Sequence, residues 1–165
     1  ENNLINNNSI FTKKYKSLLI ILFIFICFQI SYGAFVSGTH SGLLYNTWPL
    51  YNGTIFPFIE NTHIRWIINF FENGEYIIFI HRTFAMIILL LLGYLNYTII
   101  MQSKIKSYYS VIIFFNIAFV LQIVLGVSMT YLNIPWHLAL LHQGNSILVF
   151  LLSLFMYQLS FKSPQ

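Results

Sequence analysis

The chain has 165 residues, of which 58% are hydrophobic and only 7% charged, with a formal net charge of +4. Soluble domains carry about 25% charged residues, so this chain cannot build a solvated surface, and its composition suits a bilayer. The basic residues are few and localised, which excludes a nucleic-acid footprint, so no nucleic acid is expected as a partner. The single cysteine, Cys27, lies in an apolar run, forms no internal disulfide and reads as a small hydrophobe.

Residues 1–16 form an Asn-rich polar tail without periodicity, charged start or cleavage site. This reads as a linker and not as a signal peptide. The chain starts at Glu1 rather than Met, which suggests the downstream part of something longer.

From residue 17 on, four stretches reach the roughly 20 apolar residues that a membrane-spanning helix needs. They are 17–38, 76–100, 108–132 and 136–159. None contains a proline, and Pro135 stands just ahead of the fourth, where its missing N–H costs nothing. The expected fold is all-α: a polytopic four-transmembrane-helix bundle over 17–165. Lys13, Lys14, Lys16, Lys104, Lys106 and Lys162 fall on one side when the spans alternate. The excess of positive charge on inner loops then puts both termini on the cytoplasmic or matrix side.

The outer loop, about 39–75, is the longest connection, and turns are expected at Gly42, Pro49, Gly53 and Pro57. Its Tyr45, Trp48, Tyr51 and Trp66 suit the membrane–water interface. The loop is expected to fold down over the outer end of the bundle.

Two histidines stand out. His81 and His142 lie at similar depths in spans two and four, which run in the same direction. Sequential helices joined by short connections are neighbours, so spans two and four are diagonal partners. A buried imidazole must find a partner, and two that face each other suit the axial positions of a haem iron. The alternative is that they only join helices by hydrogen bonds. His40, His63 and His137 lie near the outer boundary and read as interfacial, although His40 or His137 could replace a member of the pair. Gly126 and Gly144 would let a flat macrocycle approach or let helices pack closely. Gln122 and Gln143 could bond each other or a cofactor edge. Arg82, costly inside a span, is turned about 100° from His81. It could reach a haem propionate, as could Arg65 from the loop, or pair with Glu60, Glu72 or Glu75.

Several further stretches carry a family resemblance. They are 33–38 (Gly-Ala-Phe-Val-Ser-Gly), 42–50 (Gly-Leu-Leu-Tyr-Asn-Thr-Trp-Pro-Leu) and Arg65 with 69–73 (Asn-Phe-Phe-Glu-Asn). His81-Arg82, 121–126 (Leu-Gln-Ile-Val-Leu-Gly) and 141–144 (Leu-His-Gln-Gly) follow. In this order and spacing the chain resembles the C-terminal half of haem A synthase, in its mitochondrial and alphaproteobacterial branch. The resemblance implies one half of an eight-helix fold, with His81 and His142 as the axial iron ligands of a haem b. It implies oxidation of a methyl group of haem O to the formyl group of haem A. Haem O is then the substrate, and the implied partners are an N-terminal half of the same enzyme, haem O synthase and an electron donor. It also implies an integral protein of a bacterial cell membrane or the mitochondrial inner membrane. The family's N-terminal histidine pair and glutamate have no counterpart here, so no catalytic residue is carried over. A stand-alone b-type electron-transfer cytochrome is the alternative reading.

Overall fold

The computed structural model describes residues 13–57, 66–101 and 109–161. All regular elements among them are helical: α1 (Lys13–Gly38), α2 (Trp66–Glu72), α3 (Gly74–Ile100), α4 (Tyr109–Tyr131) and α5 (Trp136–Leu159). Four of them, all but α2, are long and apolar enough to cross a membrane.

The boundaries follow local chemistry. α3 starts where Asn73 Oδ1 accepts from the amides of Glu75 (3.0 Å) and Tyr76 (3.2 Å), which satisfies N–H groups that the first turn leaves open. Glu75 adds a negative charge at the positive end of the helix dipole. α5 starts directly after Pro135, whose extended backbone (φ −62°, ψ 136°) precedes the first helical residue. α1 begins at Lys13 rather than near residue 17, because its first turn continues past the apolar run. The outer loop was read from its turn residues alone. It also contains a 3-10 turn, Ser41–Leu43, and the short helix α2.

α1 packs against α3 and α5, and α5 packs against α4. Asn96 and Asn116 close the ring by joining α3 to α4 through reciprocal amide bonds of 2.7 and 3.1 Å. The histidine-bearing helices α3 and α5 are therefore separated by α1 on one side and α4 on the other, the diagonal arrangement expected from the short connections.

The main core fills one half of the bundle. Leu19, Leu22 and Ile26 of α1 meet Ile88, Leu92 and Leu95 of α3, with Phe115 and Phe119 of α4 and Val149 and Met156 of α5. At the opposite end a smaller cluster of Tyr45, Tyr51 and Ile78 forms a roof. Between core and roof, no residue in 27–38, 79–87, 120–131 or 136–148 is buried. That layer is bounded by all four long helices.

Candidate functional site

The layer contains both histidines. His81 lies seven residues after Gly74 and His142 six after Trp136, which puts both roughly 9–11 Å below the start of their helices.

Each ring is held in the same way by a neighbouring helix. His81 Nε2 lies 3.3 Å from Gln29 Nε2 on α1. His142 Nε2 lies 3.1 Å from Gln122 Nε2 on α4. One helical turn further along, a glycine faces each ring. A Cβ added at Gly33 would lie 3.4 Å from His81 Cε1, and one at Gly126 would lie 3.1 Å from His142 Cε1. The site is thus built from two copies of one pattern: glutamine and glycine four residues apart on one helix, and histidine on the next. Nδ1 of both rings is buried without a hydrogen-bond partner.

The other expected residues sort clearly. Gln122 bonds His142 and Asn145, whereas Gln143 is exposed and takes no part. Gly144 is exposed and a Cβ there would meet nothing within 4 Å. Two residues on from His142, it points to the far side of α5. Gly126 is the glycine that lies against His142. His40 and His137 are both exposed, and His137 packs edge-on against Trp136. Arg65, His63 and Glu60 lie outside the described residues. Gln29, Gly33 and Asn145 belong to the site but were not singled out from the sequence. The signal that could have found the first two is Gln-x-x-x-Gly, present at 29–33 and again at 122–126.

Arg82 resolves the cost of its position through the outer loop. Its Nη1 donates to Thr47 O (3.0 Å) and its Nη2 to Tyr45 O (3.3 Å), and its guanidinium lies 4.8 Å from the centre of the Tyr51 ring. The same loop segment is tied to the other side of the bundle. Tyr131 Oη donates to Trp48 O (2.8 Å), and Asn46 Nδ2 donates to Asn133 Oδ1 (3.1 Å). Gly42 leaves room for Ile134, whose Cδ1 would be 2.6 Å from any Cβ there. Residues 45–48 form a strap from α3 to the α4–α5 turn, across the outer end of the histidine layer.

Residues 4–154 match the COX15-CtaA family of cytochrome oxidase assembly proteins. The chain belongs to this family. It is 40% identical over 134 residues to a haem A synthase of Wolbachia sp. subsp. Brugia malayi (strain TRS), covering 79% of this chain and 37% of that one. It is 38% identical to a haem A synthase of Wolbachia pipientis wMel, covering 87% of this chain and 38% of the relative. A haem A synthase of Rhizobium rhizogenes (strain K84 / ATCC BAA-868) is 35% identical, over 74% of this chain and 34% of its own length. The chain therefore spans little more than a third of the COX15-CtaA relatives it matches.

Proposed function

We propose that the chain is the C-terminal half of a haem A synthase and holds a haem b whose iron is ligated axially by His81 and His142. The observation that carries this reading is the pair of imidazoles, each with a buried and unpartnered Nδ1, in a layer where none of the described residues is fully buried. Each offers ring nitrogens with incomplete hydrogen bonding. Among the described residues no three or more His, Cys, Asp or Glu converge, so a cage made of protein ligands alone has no support. Two imidazoles suffice for a metal that brings its own in-plane ligands, as haem iron does.

A bound haem would supply one-electron redox chemistry to the enzyme. This chain's residues do the rest. The imidazoles bind, Gly33 and Gly126 make room for them, and the strap keeps water from the outer end. Arg82 spends two of its five N–H donors on the strap, which leaves others for a propionate. Arg65 is proposed for the same role from the loop. The complete enzyme would oxidise a methyl group of haem O to the formyl group of haem A. This half would cooperate with an N-terminal half, an electron donor and the haem O synthase that supplies the substrate. The lysine distribution supports a membrane orientation with both termini on the cytoplasmic or matrix side.

The test is the spectrum of the purified chain with haem. A low-spin bis-histidine signal is expected, lost in His81→Ala and in His142→Ala alike. Its survival in both variants would overturn the assignment. The same imidazole pair also suits a second reading, a b-type electron-transfer cytochrome that shares the ligands and lacks the substrate step. Co-expression with an N-terminal half separates the two: haem A formation supports the first, and its failure the second.

A further inference from the structure

The two glutamines that hold the imidazoles are not themselves held alike. Asn145 Nδ2 donates to Ala118 O at 2.8 Å and to Gln122 Oε1 at 2.7 Å. A main-chain carbonyl can only accept, so Asn145 must turn its amide nitrogen this way, and Gln122 must turn its oxygen to meet it. Gln122 Nε2 is left facing His142 Nε2. An amide nitrogen can only donate. His142 Nε2 therefore carries the lone pair, and the ring proton sits on Nδ1.

At His81 this chain of bonds stops one step short. Phe84 follows His81 by three residues, as Asn145 follows His142. In place of an amide it offers a ring packed edge-on against Phe25 and Tyr32 of α1. Gln29 Oε1 is buried without a partner. Nothing fixes which end of the Gln29 amide faces His81, so its ring proton is free to occupy either nitrogen.

We propose that Asn145 and Gln122 are positioning residues that preset His142 in a single neutral tautomer, with the lone pair on Nε2 and the proton on Nδ1, whereas the tautomer of His81 is left unset. The proposal rests on the reading of both histidines as iron ligands. Fixing a ligand's tautomer through its outer hydrogen bonds is a general device of metal sites. Here the fixing bonds exist before the metal arrives. Ligation through Nε2 would require the Gln122 amide to swing away from the ring.

The tautomers can be read without haem, by nitrogen-15 NMR of the full chain labelled at histidine and reconstituted in lipid. His142 should show one tautomer with a bare Nε2, and His81 an average of two. Asn145→Leu should bring His142 to the averaged state and leave His81 unchanged. Phe84→Asn, which supplies the missing donor, should give His81 a single tautomer. An averaged His142 in the parent chain, or a His142 tautomer unchanged in Asn145→Leu, would overturn the proposal. A low-spin haem spectrum kept by both His81→Ala and His142→Ala would instead remove the ligand reading. The haem-free tautomer measurement tells these failures apart.

Discussion

Alanine at the two glycines facing the histidines should have unequal effects. At Gly126 the new methyl would sit 3.1 Å from His142 Cε1 and 3.6 Å from Nδ1; at Gly33 the corresponding contacts with His81 are 3.4 and 3.9 Å. Carbon atoms prefer about 3.5–4.0 Å, so Gly33→Ala makes a normal contact, whereas Gly126→Ala must push the ring back by roughly half an ångström. His142 cannot retreat freely, because its Nε2 is held by Gln122, itself held by Asn145. Overpacking of this kind costs about 1–3 kcal/mol, which corresponds to a loss of haem affinity of about five- to hundredfold. Gly33→Ala gains helix propensity of about 1 kcal/mol and should be neutral or mildly stabilising. The assay is haem titration followed by the Soret band, with thermal unfolding of the haem-free chain alongside. Equal losses for the two variants, or a larger loss for Gly33→Ala, would refute the geometric argument.

Three further outcomes follow from the strap and the bundle. Arg82→Met should free residues 45–48 from α3, at a cost of about 1–3 kcal/mol, seen as faster amide hydrogen exchange in the strap with the core of α3 unchanged. Burial pushes the Tyr51 phenol above its usual value, with nearby Arg82 opposing. A raised folded-state value means that this contribution is complete below the unfolded tyrosine value of about 10 and is lost as pH climbs through the folded one. Trp48 fluorescence should thus report strap loosening only in that alkaline range, and Tyr51→Phe should lose the transition. Asn96→Leu should lower the melting temperature by leaving the half-buried Asn116 amide with only its bond to Ile112 O, at about 1 kcal/mol, and adding Asn116→Leu should recover much of the loss.

The four spans were legible because hydrocarbon demands long apolar runs. α5 was placed without error because Pro135 marks its start in the sequence itself. α1 was harder, since nothing in the tail caps it and its first turn runs through Lys13, Lys14 and Lys16. α2 was missed because seven residues show too little periodicity to separate a helix from a loop. At the site, His81 and His142 were visible as polar groups with no obvious partner in apolar runs. Gln29 and Asn145 were not, because the role of each depends on a neighbouring helix: Asn145 acts on Gln122, and Gln29 on His81. Gly144 shows the same limit from the other direction. Its nearness to His142 in sequence suggested a shared face, but two residues turn a helix by about 200°, and Gly144 ends up on the outside.

The bundle is best understood as two related helix pairs, α1 with α3 and α4 with α5. In each, the first helix contributes glutamine and glycine and the second contributes histidine. One pair alone presents a single imidazole on an open face. Placing two pairs together, through α1 against α5 and Asn96 against Asn116, sets the imidazoles at matching depth on opposite walls. The pairs differ where they need not match. The first has the long connection that becomes the strap, and the second a tight turn in which Asn133 and Ile134 both adopt positive φ (55° and 54°). Ile134 bears that unfavourable backbone while its side chain sits over Gly42, and Asn133 receives Asn46 from the strap. The tight turn of one pair thus docks the long loop of the other. A change that relaxes the turn should therefore loosen the strap without touching either histidine.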